Sequence, residues 1–261
     1  MDRPEMQGVL EDLASNEPAR LARAVDWFDA RLAGLPEAGF RAAVEALCGL
    51  FFVDTFDRPA LEPLLERAEA ALVRCGPRVI PQLLGFMKGS DIKSHLYLAR
   101  TLGLLGTPAI EPLRTFIATE DDPYCRTFGL FALGKIRDPE VDAALPEVVG
   151  CLMHPDREVR DSAARTLGRM VEVVPASRLS ERRRTELFEA LSRCLADPQP
   201  VVRAKTIRSL GKMGAAGYLS APQVERARQA AHAMLGHGEH YEWDLAYIVR
   251  REAQEALRLL D

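Results

Sequence analysis

Three of the chain's five histidines lie close together, His232, His237 and His240, beside Glu239, Glu242 and Asp244. Imidazoles and carboxylates in one short run are the donor set of a zinc or iron site. The spacing argues against it. His237 and His240 are not the i, i+4 pair of a helical metal motif. Gly236 and Gly238 mark the run as a solvated connection between helices. The five cysteines, at 48, 75, 125, 151 and 194, form no C-x-x-C and read as free, buried thiols in a reducing compartment. There is no G-x-S-x-G elbow and no glycine-rich phosphate loop on a strand. The sequence therefore predicts no catalytic residue, no metal and no cofactor.

The remaining candidate chemistry is electrostatic. Arg165, Arg169, Lys205, Arg208 and Lys212 recur at matching positions of two amphipathic helices, with Arg100 and Lys135 continuing parts of the column upstream. In the helix over 157–170 the apolar stripe is Val159, Ala163, Leu167 and Met170, which turns Arg165 and Arg169 outward. Such a stripe suits carboxylates or phosphates. Glu158, Asp161 and Glu172 lie near enough to balance it as an ordinary solvated face.

The elements that position these residues are repeats. Val159-Arg160, Ala163 and Leu167-Gly168 have counterparts at Cys125-Arg126, Gly129 and Leu133-Gly134, about 34 residues earlier. Val202-Arg203, Thr206 and Leu210-Gly211 follow about 43 residues later, and Val249-Arg250, Ala253 and Leu257 close the series. His95 fills the arginine slot of an earlier unit. A preceding helix keeps the same register: Pro81, Pro112 and Pro146 sit just inside helix starts, where proline loses no hydrogen bond. Phe86, Ile117, Cys151 and Cys194 coincide late in that helix, at an apolar position. Turns with capping residues join the two helices: Gly89-Ser90-Asp91, Asp121-Asp122-Pro123, His154-Pro155-Asp156 and Asp197-Pro198. Periods of this length signal stacked helical units.

The segments DREVRDSAARTLG and QPVVRAKTIRSLG carry the pattern D-P-x-x-x-V-R-x-x-A-A-x-x-L-G. They resemble the HEAT-repeat family, and within it the short-repeat subgroup first described in phycobilisome lyases, over roughly residues 78–260. The resemblance implies an all-α, right-handed α-α superhelix of the HEAT/armadillo-like solenoid type. It implies that Arg126, Arg160, Arg203 and Arg250 are structural, each bonding a turn carboxylate or carbonyl. It also implies that second helices line a concave groove, which places the basic stripe there. A HEAT-like di-iron hydroxylase family uses His-Glu dipeptides as ligands; this chain has none, so that activity is not carried over.

Residues 1–75 are helical but off-register, with Asn16 as a helix cap, an apolar stripe of Leu21, Ala24, Val25 and Phe28, and Phe51, Phe52 and Phe56 clustered. They read as a divergent helical N-terminal cap, and 76–261 as about five helix pairs. The 261 residues carry a net charge of −4 and are 48% hydrophobic but only 7% aromatic, as expected for Ala/Leu helix stacking. The charge is polarised. Residues 1–75 hold 8 basic and 14 acidic side chains, whereas 157–212 hold 13 basic and 7 acidic. No signal peptide or membrane-length apolar run is read, so a cytoplasmic location with no membrane contact is expected. The expected function is a non-enzymatic scaffold that holds a protein partner with an acidic surface in the groove. The oligomeric state is left open. The alternatives are a bilin lyase or isomerase subunit, implied by the subgroup, and a nucleic-acid-binding HEAT-like protein, which the net charge argues against and the basic segment 157–212 argues for.

Overall fold

The structure is a computed structural model describing residues 3–15, 17–89, 92–237 and 242–261. Among these residues it is all-helical, with one isolated β-bridge between Leu235 and Trp243. Two compact units divide the chain, Met1–Pro112 and Leu113–Asp261.

The first unit holds α1 (Arg3–Leu13), α2 (Pro18–Arg31), α3 (Glu37–Gly49), α4 (Glu62–Arg74), α5 (Ile80–Met87) and α6 (Ile92–Leu104). Leu21, Ala24, Val25 and Phe28 of α2 are buried as their spacing predicts. Of the expected phenylalanine cluster, Phe51 alone is in the core, stacked on Tyr97 at 5.0 Å; Phe52 and Phe56 face solvent. The cap assigned to Asn16 and the turn at Ser90-Asp91 fall outside the described residues. Helices α4 and α5 share an entry: a 3-10 turn opened by the first proline, Pro59 or Pro77, then an α-helix with a second proline, Pro63 or Pro81, in its first turn. Proline suits both sites because neither backbone position donates a hydrogen bond there. In α5 it is Met87, not Phe86, that is buried, since the short helix turns its next residue inward. His95 of α6 is also buried and sits 2.7 Å from the Met87 carbonyl through Nε2, a structural role.

Helix α7 (Ile110–Thr119) contains the boundary between the units. The second unit continues with α8 (Pro123–Leu133), α9 (Leu145–Cys151), α10 (Arg157–Met170), α11 (Glu181–Arg193), α12 (Pro200–Ala215), α13 (Ala221–Met234) and α14 (Tyr247–Leu260). Helices α9–α10, α11–α12 and α13–α14 pack as pairs, and the second members α8, α10, α12 and α14 pack successively on one another. Asp156 caps α10 by accepting from Glu158 N at 2.8 Å and Val159 N at 3.3 Å. Val159, Ala163, Leu167 and Met170 are buried, so the predicted face of α10 is the core face. The last unit departs from expectation. Its second helix begins only at Tyr247, and residues 242–246 precede it in non-helical chain, with Trp243 bridged to Leu235.

The glycine of the Leu-Gly pair does more than end a helix. A side chain at Gly211 would begin 2.8 Å from Ala256 Cα of α14, and one at Gly168 would meet Ser209 of α12 at 2.2 Å. Second helices thus approach until backbone meets small side chain. Leu167→Ala is expected to cost about 2–5 kcal/mol through the cavity it leaves. Gly211→Ala is expected to cost about 1–3 kcal/mol by overpacking, although alanine is the better helix former by about 1 kcal/mol. Denaturant unfolding checks both; a Gly211→Ala protein as stable as the parent would refute the close approach.

Candidate functional site

The arginines of the Val-Arg pairs form a ladder at the turns of the second unit. Arg160 donates from Nη1 to the carbonyls of His154 and Pro155, both at 2.8 Å, in its own turn. From Nε and Nη2 it forks onto Asp197 of the next turn, at 2.6 and 3.1 Å. Arg203 repeats the arrangement on Asp197 O and Pro198 O, and forks onto Asp244 at 2.7 and 2.9 Å. Arg250 reaches the carbonyls of Asp244 and Leu245, and Arg126 donates to Glu120 O. The structural role implied for these four arginines holds. Asp244, a candidate metal ligand by sequence, is instead committed to this ladder.

The rung between Arg126 and the following turn is incomplete. His154 occupies the place of Asp197 and Asp244. Its Nδ1 accepts from Asp156 N at 3.1 Å, as Asp197 accepts from Gln199 N and Asp244 from Ala246 N. It offers no second acceptor, and Arg126 Nε is buried without a hydrogen-bond partner. Burial, Arg126 and Arg160 push the His154 imidazole below its usual range, against the upward pull of Asp156.

On the exposed side of α10 and α12 the expected basic stripe alternates with carboxylates. Arg165 Nη2 donates to Asp161 at 2.9 Å, Arg208 Nη1 to Glu252 of α14 at 3.0 Å, and Lys212 Nζ to Glu172 at 3.0 Å. Asp161 and Glu252 are themselves buried. Burial raises the Asp161 carboxyl above its ordinary range, outweighing Arg165 and Lys205. Arg169 instead lays its guanidinium over the Phe131 ring, 5.3 Å from the centroid. Upstream, Arg100 is not part of an open stripe: its Nε donates to both oxygens of the buried Glu69, at 2.9 and 3.0 Å. A cavity of about 540 Å³ lies between α10 and the starts of α12 and α14, where Asp161, Arg165 and Lys205 meet Pro200, Val201 and Ile248.

The histidine run is only partly described. His232 and His237 are exposed, with their Nδ1 atoms 3.4 Å apart. His240 and Glu239 lie outside the described residues. Among the described residues no group of three or more His, Cys, Asp or Glu side chains is placed to hold a metal. The five cysteines are unpaired thiols. Burial pushes Cys48 up to about 12 and Cys75 and Cys194 up to about 11, the ranges of inert thiols rather than nucleophiles.

Sequence reading missed an apolar group at the start of α14. Trp243, Leu245 and Tyr247 are exposed, Leu245 by 90%, with Val201 beside the cavity. Their alternation with Asp244 and Ala246 has a period of two, the signature of extended chain, and it was available to be read.

With this geometry in view, the comparisons fix the class of fold. Residues 123–170 match a HEAT-like repeat family model. The structure is similar to one from the complex of CpcE and CpcF of phycocyanin lyase from Nostoc sp. PCC7120, with a TM-score of 0.56 and 20% identity, covering 69% of this chain and 98% of that one. It is also similar to yeast importin-beta (Kap95p), with a TM-score of 0.61 and 16% identity, covering 98% of this chain and 35% of that one. A second importin-beta structure gives a TM-score of 0.63 at 18% identity, covering 98% and 36%. No curated protein matches the sequence. The fold is that of HEAT- and armadillo-type repeat proteins. No helix among the described residues is long and apolar enough to cross a membrane.

The ladder makes stability depend on acid in a defined direction. Burial alone would raise the Asp197 and Asp244 carboxyls. The hydrogen bonds from Arg160 and Arg203 and from the Gln199 and Ala246 amides outweigh it and hold both below the usual carboxylate range. A depressed folded-state value stabilises the protein above the unfolded carboxylate value of about 3.9. That contribution is lost as pH falls through the folded value. The paired Asp197→Asn and Asp244→Asn variant should therefore melt lower at neutral pH. It should also lose less stability than the parent between about pH 5 and pH 3. Parallel melting curves over that window would exclude the linkage.

Proposed function

We propose that the protein is a non-enzymatic scaffold that holds a protein partner against the face formed by α8, α10, α12 and α14 of its second unit. The observation that carries this reading is a division among the charges. Turn arginines are consumed by the ladder, whereas Arg165, Arg169, Lys205, Arg208 and Lys212 remain partly exposed on one face. A cavity lined by Asp161, Arg165 and Lys205 together with Pro200, Val201 and Ile248 opens on this face, and Trp243, Leu245 and Tyr247 are exposed at the approach to α14. Aromatic anchors rimmed by charge are the composition of protein-binding surfaces. Repeat architectures supply extended surfaces of this kind rather than enclosed pockets. The partner chemistry that fits five cations is an acidic protein surface, and residues 1–75 would act as the divergent helical cap. A second reading is a bilin lyase or isomerase subunit, favoured by the likeness to the CpcE–CpcF complex. An absorbance change on mixing with bilin and apoprotein would support it.

The test uses the intact chain as bait in a native extract and compares two variants. Lys205→Glu with Lys212→Glu should slow capture of the partner and flatten its salt dependence, because rim charges act mainly on association. Arg182→Glu with Arg183→Glu, on the outward side of α11, should leave capture unchanged. Equal capture by both variants and the parent, with folding intact by circular dichroism, would move the interface elsewhere.

A further inference from the structure

The cations of this face are not equivalent. Arg165, Arg208 and Lys212 each contact a carboxylate, and Lys205 lies in the field of Asp161 and Glu252. Among the described residues, no carboxylate lies within ion-pair distance of Arg169. Lys212 reaches back one unit to Glu172. The same step back from Arg169 arrives at Asp138, whose Oδ1 accepts from Glu140 N at 2.8 Å and caps the next 3-10 turn.

Arg169 is held in place nonetheless. Its Cδ packs across Gly134, 3.2 Å from where a side chain there would begin, and its guanidinium rests on Phe131. Nη1 is buried without a hydrogen-bond acceptor, and the residue as a whole stays partly exposed, so an anion reaches the guanidinium through its other nitrogens. Lys135 Nζ lies 5.1 Å from the centroid of the same ring. Burial, Arg165 and Arg137 all push the Arg169 guanidinium below its usual range, with Glu172 opposing, so the local potential is positive. A guanidinium fixed in orientation by packing, and short of an acceptor, is pre-organised for an anion, since little side-chain freedom remains to be lost on binding.

We propose that Arg169, seated on Phe131 and flanked by Arg137 and Arg165, is the anchor for a carboxylate from an acidic segment of a partner protein. The proposal rests on the reading of this face as a protein-binding surface and names its chemistry. A peptide carboxylate fits better than a nucleic-acid backbone. Asp161, Glu172, Glu252 and Glu255 alternate with the cations on the same face, and a phosphate chain of regular spacing would run over them.

The experiment titrates a fluorescein-labelled hexaglutamate peptide into the full chain and follows anisotropy at low and moderate salt. The parent protein should bind saturably. Arg169→Gln should weaken binding at least about tenfold, and Arg169→Lys, which loses the planar fork, nearly as much. Arg182→Gln on α11 should bind as the parent does. The Arg169→Gln melting temperature should equal or exceed the parent's, because the substitution removes an unsatisfied, half-buried charge. Unchanged affinity in Arg169→Gln overturns the anchor; if binding then depends on Lys205 and Lys212, the face stands without it. A large fall in melting temperature would make Arg169 a structural residue and also overturn the proposal. Absence of peptide binding overturns the anchor and leaves the face to be judged by partner capture. Preference for a DNA duplex with a steep salt slope would overturn both.

Discussion

One guanidinium shared between two successive turns is the interaction on which the second unit depends. Arg160 and Arg203 each satisfy two carbonyls of their own turn and both oxygens of the next turn's aspartate. The helices are short, and each repeat can bury its apolar face only against its neighbours. Apolar contact alone tolerates sliding, whereas a planar fork on a carboxylate tolerates little. The ladder therefore fixes how far α12 is displaced from α10, and α14 from α12. At that displacement Gly168 and Gly211 can face Ser209 and Ala256 at backbone distance. Buried charge is costly unless fully bonded, and full bonding is what the two complete rungs show.

The same ladder sorts the protein's charges into two populations. Arginines at the turns are spent on structure. Cations along α10 and α12 meet carboxylates reached across units, such as Glu252 for Arg208 and Glu172 for Lys212. This leaves a face of alternating sign rather than a uniformly basic stripe. Alternation favours a partner that matches it point by point, which is how proteins gain specificity from charge. Where the ladder is interrupted, at His154, Arg126 keeps its carbonyl contact but not its carboxylate.

Much of this was legible in the sequence, and the reason is local. The Val-Arg, Ala and Leu-Gly anchors, and prolines such as Pro81 and Pro146, report helix faces and helix starts set by nearby residues. Arg160 and Arg203 were identified correctly as structural through a family resemblance. The pairing of Arg208 with Glu252 and of Arg165 with the buried Asp161 was not read, because it depends on how far one unit is displaced from the next. Asp244 was weighed only as a neighbour of the histidines, and its place in the ladder was not read. Its place six residues before Arg250, matching Asp197 before Arg203, was the better signal.

The central claim is that the arginine fork couples one turn energetically to the next, and a double-mutant cycle measures that coupling directly. Arg203→Ala, Asp244→Ala and the double variant would be compared by denaturant unfolding, with the Arg160 and Asp197 pair as an independent replicate. Hydrogen bonds to charged groups contribute about 1.5–3 kcal/mol, so the account predicts an interaction energy of that size in both cycles. Additive single effects, with a coupling within the error of about 0.3–0.5 kcal/mol seen for independent sites, would show that the fork does not hold the units together.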